Sequence, residues 1–374
     1  MKLLIHRLGE LCQMVKGTAP TLKTPPGSFP LVVTADFRRT ADTWQLEGPA
    51  VCIPLVSSTG HGDAALHRVH YQEGKFALAN LLVALLPKNP SVCCAKYLYY
   101  FLMARKDELL VPLMQGTANV SLKEQDIAGV EIPLPQLAEQ RNIVAQIEEL
   151  SAKVEEARAL RQQAEEEAEL LVPARAKIVL QETQKRHGSR SLLDVCDFEG
   201  GSQPPKSMFS HEPTPGYMRF LQIRDFSSDN HLTFIPESSR NSLVRKHEVL
   251  VGRYGASLGK ILRGKEGAYN VAMCKAVPLT TELTHDFLAY SLAYGQFQDR
   301  LSEISRSAQA GFNKADLKDV KIPLPPPDEQ KRIVAYLGAV QDKVTALKTL
   351  QAATSAELDA LMPSILDKAF RGEL

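Results

Sequence analysis

IPLPQLAEQRNIVA, Ile132 to Ala145, returns as IPLPPPDEQKRIVA, Ile322 to Ala335, with nine of fourteen positions identical at a displacement of 190 residues. A repeat of this period has to be recognised before any local motif, because missing it misassigns the whole architecture. The displacement holds downstream, pairing Leu171 and Pro173 with Leu361 and Pro363, and upstream, pairing Asp126 and Val130 with Asp316 and Val320. Farther back, LGELCQMVKGTAP (Leu8 to Pro20) lies over LLDVCDFEGGSQP (Leu192 to Pro204) at a displacement of 184, matching Cys12 to Cys196 and Gly17 to Gly201. Between these anchors the halves diverge, apart from echoes such as Asn80 with Asn270 and AKYLYYFL (Ala95 to Leu102) with HDFLAYSL (His285 to Leu292). Each half is one globular head followed by one tail. The boundaries fall at 1–135 and 187–325 for the heads, and at 136–186 and 326–374 for the tails.

The tails are predicted as long helices. Each opens after a proline-rich stop with acidic residues, Glu139 or Asp328 and Glu329, which suit the positive end of a helix dipole. Ile143, Ile147, Leu150 and Val154 recur at spacings of four and three, as do Ile333, Leu337, Val340, Val344 and Leu347, which is the seam of a coiled coil. A helix of about 40 to 45 residues is about 60 to 68 Å long, so the second helix is expected to return antiparallel on the first, giving a pseudo-twofold dumbbell. Pro173 and Pro363 are expected to kink or break the two helices at one equivalent place. Leu160, Leu170 and Leu350 lie off the seam and are left for helices of partner proteins.

The heads are predicted as mixed α/β units with short strands. FPLVVTADF (Phe29 to Phe37), AVCIPLV (Ala50 to Val56), YMRFLQI (Tyr217 to Ile223) and HEVLVGRY (His247 to Tyr254) are β-rich and bounded by Gly, Pro or Asp. The 374 residues, 44% apolar and 23% charged, suit a soluble protein of two or three domains. Six scattered cysteines without metal-ligand spacing are expected to be reduced and structural. The N-terminus lacks the pattern of a signal peptide and no apolar run is long enough to span a bilayer, so the expected location is cytoplasmic, away from membranes.

A catalytic constellation is not legible. GRYGASLGK (Gly252 to Lys260) departs from a phosphate-binding loop at Tyr254 and at Ile261. Pro327, Asp328, Glu329 and Lys331 are nearly contiguous at a helix start, where capping accounts for them better than a nuclease centre. His61, His67 and His70 have no second ligand set, so no metal is expected. What remains is charge. Lys plus Arg number 44 against 43 Asp plus Glu, so bulk charge names no partner. Residues 1–135 carry 13 basic and 11 acidic groups, and residues 190–325 carry 17 and 15, while the tails are slightly acidic. Arg245, Lys246, Arg253, Lys260, Arg263 and Lys265 crowd into about twenty residues with Tyr254 and four glycines. Such a segment brings amides and cations to phosphates, and Arg can take guanine bidentately. Two similar heads with different loops suit a two-part DNA sequence.

On these residues the chain resembles the specificity subunit of type I restriction-modification systems. The likeness spans nearly the whole sequence and is carried by the two IPLPxxxEQ segments (Ile132 to Gln140, Ile322 to Gln330), the head openings at Leu8 and Leu192, and VLVGRYGASLGK (Val249 to Lys260). It implies two target-recognition domains separated by repeated helices that pack antiparallel and hold two methyltransferase subunits, with restriction subunits joining. It further implies that this chain is not an enzyme and holds no cofactor. S-adenosylmethionine and ATP with Mg would belong to the partners, which methylate adenine and cleave unmodified double-stranded DNA. The first head departs from the pattern, since SSTGHGDAALHR (Ser57 to Arg68) stands where the second has GRYGASLGKILR and lacks an Arg253 counterpart. Candidate DNA contacts are Lys23, Thr59, His61, Arg68 and Lys75 in the first head, and Lys206, Arg224, Arg253, Tyr254 and Lys260 in the second. The alternative is a coiled-coil scaffold whose heads read no sequence.

Overall fold

The computed structural model describes residues 4–59, 62–117, 120–304 and 311–374. In the first head an antiparallel sheet has the strand order Cys12–Lys16, Leu82–Pro87, Ala50–Pro54, His70–Gln72, and a second sheet the order Arg39–Ala41, Phe29–Val32, Lys75–Leu78, Leu46–Glu47. The second head repeats both orders. Its first sheet runs Cys196–Gly200, Met273–Pro278, Val249–Gly252, Ile261–Leu262, and its second Phe234–Pro236, Tyr217–Leu221, Gly267–Tyr269, Leu243–Val244. In each second sheet one pair is parallel, with Leu31 beside Ala77 and Phe220 beside Ala268. Ala50–Pro54 and Val249–Gly252 are buried at every residue, which is why these stretches are continuously apolar instead of alternating.

The repeated sequence anchors are the places where each head closes on itself. A single helical turn, Leu8–Leu11 or Leu192–Val195, leads into the first strand at Cys12 or Cys196. The amide of Leu8 donates to the carbonyl of Val130 (3.0 Å), and that of Leu192 to Val320 (2.8 Å). Two-stranded ribbons, Leu4–Arg7 with Glu131–Leu134 and Ser189–Ser191 with Lys321–Pro323, finish each closure. The IPLP segments are thus the last strand of a head running into a long helix. Helices Ala95–Leu109 and His285–Tyr294 cover the first sheets, burying Tyr97 and Leu98 in one head and Phe287 and Leu288 in the other.

The long helices are Leu137–His187 and Pro327–Arg371. The chain divides into two compact units, residues 1–161 with 352–374, and residues 162–351. In the first unit Ile147 packs with Leu366 and Ala369, Arg158 bonds Asp359 at 3.1 Å, and Arg161 bonds Thr354 at 2.9 Å. In the second, Ala168 and Val172 pack with Val344, Glu169 bonds Lys348 at 2.8 Å, and Arg186 meets Glu329 at 3.1 Å. Numbers rise along one helix as they fall along the other, so within each unit the two helices are antiparallel.

Two expectations need correction. Of the kink or break expected at Pro173 and Pro363, the break does not occur, since both lie inside continuous helical segments. Proline removes one N–H donor and frees the carbonyl four residues earlier. Here Pro173 and Glu169 are exposed, as are Pro363 and Asp359, so water reaches the freed carbonyl, while buried Val172 and Ala176 hold the helix on either side. The second correction concerns Asn80 and Asn270. Gly17 bonds Leu82 and Gly201 bonds Met273, while Ala19 bonds Leu78 and Ser202 bonds Tyr269. A Cβ on Gly17 would sit 2.0 Å from the Ala79 carbonyl oxygen, and one on Gly201 at 2.0 Å from that of Asn270. The counterpart of Asn270 is therefore Ala79, one residue off. The loop between the last strand of the first sheet and the following helix has seven residues (88–94) in the first head and six (279–284) in the second, which shifts the register. No helix among the described residues is long and apolar enough to cross a membrane.

Candidate nucleic-acid interface

In the second head the loop joining Val249–Gly252 to Ile261–Leu262 carries Arg253, Tyr254 and Lys260. Arg253 donates its amide to Ala272 (2.9 Å), which fixes the loop root to the turn at 270–273. Its guanidinium carbon lies 5.0 Å from the centroid of the Tyr254 ring, and Tyr254 is itself half exposed. Stacking on the ring holds the Arg253 fork in fewer rotamers, so less entropy is lost when it takes a partner. The rest of the loop is tied from below. Gln298 Nε2 donates to the carbonyls of Gly259 and Leu292, both at 2.8 Å. Gly259 has φ +77°, and a Cβ there would lie 2.7 Å from Leu301, so the close seat on the helix requires glycine.

Arg224 sits on the turn Ile223–Phe226, which follows Tyr217–Leu221. The amide of Asn270 bonds Leu221, so this turn and the Arg253 loop leave the same end of the head. Lys206, in the short turn Lys206–Met208, follows Ser202, which is bridged to Asn270. The second head thus collects Arg224, Arg253, Tyr254 and Lys260 at one end, with the Lys206 segment starting there. Of the six clustered cations, Arg263 pairs with Asp286 and Lys265 with Asp229. Hydrogen bonds from Lys265 and Arg219 hold the Asp229 carboxyl below its usual range. Arg245, Lys246, Arg253 and Lys260 enter no ion pair among the described residues.

The first head is arranged alike but less basic. Thr59 and Arg68 lie on the loop between Ala50–Pro54 and His70–Gln72, the counterpart of the Arg253 loop. His61 lies outside the described residues. The hydroxyl of Thr59 donates to Asp63 (3.2 Å), and Arg68 pairs with Asp36 at 3.4 Å. Beneath the loop, Arg38 donates to Gln72 (3.0 Å) and to the Tyr71 carbonyl (3.0 Å), with His70 Nδ1 at 3.3 Å. Burial, reinforced by Arg38 and Arg68, pushes the pKa of His70 down to about 4, so it is neutral at pH 7. Lys75 is not brought to this loop. It opens the strand Lys75–Leu78, whose other end leads to the turn bonded to Leu55, and its ammonium lies over Trp44, 4.7 Å from the ring centroid. Lys23 is exposed on the turn that follows Pro20.

On the helices, Ile147, Val154, Ile333, Leu337 and Val344 are buried, Ile143, Leu150 and Val340 are partly so, and Leu347 is 39% exposed. Several of these serve the heads as much as the opposite helix. Ile143 packs on the first head's core with Phe370, and Ile333 and Leu337 belong to the second head's core with Ala176 and Leu180. Two positions that hold the candidate frame in place escaped the sequence reading although they lie in the repeat. Gln140 is fully buried, accepting from the amide of Cys94 and donating to Val92 and Pro135, each at 2.8 Å. Gln330 accepts from the amide (3.0 Å) and hydroxyl (2.9 Å) of Thr284 and donates to Glu282 and Pro325. Each glutamine locks the start of a long helix to the start of a head helix.

The family model of the type I restriction modification DNA specificity domain matches this chain twice, over residues 5–166 and 187–355. The chain is 23% identical to the type I restriction enzyme EcoDI specificity subunit of Escherichia coli, across 98% of this chain and 87% of that protein. A chain solved in work on complex assembly and conformational transition of the type I R-M system superposes with a TM-score of 0.68 at 27% identity, covering 100% of both. The HsdS subunit from Thermoanaerobacter tengcongensis superposes with a TM-score of 0.61 at 26% identity, covering 99% of this chain and 97% of that one. With its duplicated heads, repeated closures and paired helices, the chain belongs to this family and is a DNA specificity subunit of a type I restriction-modification system, in which the catalytic activities lie in other subunits.

Proposed function

We infer that the chain reads a bipartite sequence in double-stranded DNA, one head to each half, and that the heads correspond to residues 1–135 and 187–325. The observation that carries this reading is that both heads repeat one strand order while presenting different loops at the same end. In the second head Arg253, held over Tyr254, takes a base edge in the major groove, and Lys206, Arg224 and Lys260 take phosphates. Thr59, His61 and Arg68 do the corresponding work in the first head, with Lys23 at its flank, while Lys75, at the far end of its strand, is left out of the contact. Two methyltransferase subunits dock on the long helices (136–186 and 326–374), for which exposed Leu160 in the first unit, and Leu170 and Leu350 in the second, supply apolar surface. Restriction subunits complete a cytoplasmic complex. S-adenosylmethionine is used by the methyltransferase subunits, and ATP with Mg by the restriction subunits.

The test is methylation mapping with the full chain and its methyltransferase partner, before and after residues 22–125 are replaced by those of another specificity subunit. One half of the recognised sequence should change and the other persist. A change in both halves overturns the assignment of one head to each half.

A further inference from the structure

Phe37 stands out because it is exposed where its counterpart is partly buried against the core. Leu31 and Val32 pair in parallel with Ala77 and Leu78, as Phe220 and Leu221 pair with Ala268 and Tyr269. This register sets Ala35-Asp36-Phe37 against Arg224-Asp225-Phe226, so both heads carry an Asp-Phe pair in the turn after the parallel strand. In the second head the pair folds inward. Asp225 is 1% exposed and accepts from the amide of Gln222 at 2.7 Å, while Phe226 packs on a core cluster containing Leu221 and Tyr269. The exposed member of that turn is Arg224. In the first head the pair is turned out. The Asp36 side chain is 77% exposed and Phe37 is 55% exposed. Arg68, on the loop equivalent to that of Arg253, pairs with Asp36 at 3.4 Å and so joins the Phe37 turn to the candidate interface. On the other side in sequence Arg38 is anchored to Gln72 and the Tyr71 carbonyl, so both neighbours of Phe37 are tied to this loop or the strand that follows it.

Leaving an aromatic ring in water forgoes the burial its counterpart enjoys, and nothing in the fold of the first head requires it there. The site has no Arg224 equivalent, since Ala35 occupies that position. We propose that Phe37 makes an apolar contact with the 5-methyl group of a thymine in the half-site of the first head, the major-groove feature suited to an aromatic side chain. The same turn thus offers the DNA a cation in one head and an apolar face in the other. This rests on the assignment of these loops to DNA, and the experiment separates the two claims.

The full chain with its methyltransferase partner is used, and the recognised site is first defined by methylation mapping. Binding is then measured on duplexes in which each thymine of the first half is replaced in turn by uracil, which lacks only the methyl group. For the unaltered chain, one such replacement should weaken binding roughly 4-fold, the worth of one buried methyl group. Phe37→Ala should bind the thymine duplex as weakly as the unaltered chain binds the uracil duplex, and should lose nothing more on uracil. Phe37→Leu should retain much of the thymine preference. The slope of log affinity against log salt should be unchanged, because no phosphate contact is removed, and so should the melting temperature, because the ring is exposed. A first half without thymine, or a thymine preference intact in Phe37→Ala, overturns the proposal. Arg253→Ala is the parallel arm. If it relaxes the second half while Phe37→Ala changes nothing, the Phe37 contact alone fails; if neither alters any position, the loop assignment fails as well.

Discussion

Arg253 couples a flexible charge to a fixed ring. Because Tyr254 holds its guanidinium and Ala272 holds its backbone, removing it should cost binding at one base position and leave the loop in place. Arg253→Ala is expected to weaken binding to the cognate duplex by about 1 to 3 kcal/mol, the usual worth of a bidentate base contact, and to relax preference in one half only. Titration of the methyltransferase complex against single-base variants of the site measures this. Gln330 shows a different economy. Its hydrogen bonds join groups at the start of the helix His285–Tyr294 and the end of the Pro-rich segment, away from the Arg253 loop. Gln330→Leu would leave buried donors and acceptors unmatched, at about 1 to 3 kcal/mol for each group. A loss of at least about 2 kcal/mol in urea unfolding of the second unit is expected, with faster hydrogen exchange at the Thr284 amide. His70 ties stability of the first head to pH. Its folded pKa near 4 lies below the ordinary value of 6.5, so the fold favours the neutral ring. Stability is complete above pH 6.5 and falls as the pH drops from 6.5 to 4, by up to about 3 kcal/mol. In His70→Gln, whose amide oxygen can accept a hydrogen bond but carries no titrating group, this part of the pH dependence should vanish in denaturation curves taken between pH 4 and 7.

At the scale of elements, the long helices tolerate what an isolated helix would not. A proline in a helix interior costs about 3 kcal/mol relative to alanine, yet Pro173 lies within an unbroken helix because packing of Val172 and Ala176 supplies more than the lost bond. Pro173→Ala restores a donor to the Glu169 carbonyl and should stabilise the second unit by about 1 to 3 kcal/mol, read as a raised urea midpoint. The seam also shows what heptad spacing leaves undecided. Spacing selects the buried face, and Ile147, Val154, Leu337 and Val344 are indeed buried, but it does not say what covers that face. Head residues such as Tyr100 and Met103 share the contact at Ile147, whereas exposed Leu347 has the same spacing and less cover. Asn80 and Asn270 teach the same lesson for strands. Identity at a constant displacement suggested equivalence, and hydrogen-bond register, which is sensitive to one inserted residue in a loop, placed Ala79 there instead.

For the molecule as a whole, duplication is the main determinant. Each half closes through the same bonds, Leu8 to Val130 and Leu192 to Val320, and each carries a buried glutamine at its helix start. A head built this way can change its loops while keeping its frame, because the residues that fold it and the residues at its loop end are different. Exchange of residues 22–125 leaves Leu8, Cys12, Val130 and Gln140 in place, while the partners of Gln140 at Val92 and Cys94 and the cover of Ile147 by Tyr100 and Met103 are supplied by the same frame of the incoming head. Such a chimera should therefore fold and keep its helices, and should retain the methyltransferase partner in size-exclusion chromatography while its methylation pattern changes in one half. A chimera that folds yet loses the partner would place part of the docking surface in the head.

The amino-acid sequence alone settled the repeat, the two heads, the two helices and the membership of a specificity-subunit family. These follow from long patterns, in which IPLPxxxEQ and a four-three spacing each involve many residues whose chemistry is dictated by the chain itself. It located the Arg253 loop for the same reason, since glycines and cations close in sequence must also be close in space. Which cations remain available, however, depended on Asp286 and Asp229, brought by folding to Arg263 and Lys265. Tertiary structure also decided that Lys75 lies away from Arg68, that Gln140 and Gln330 are locks, and that one Asp-Phe pair packs inward while the other is exposed. Burial, ion pairing and strand register are properties of contacts between residues far apart in the chain, so no local reading of either partner contains them.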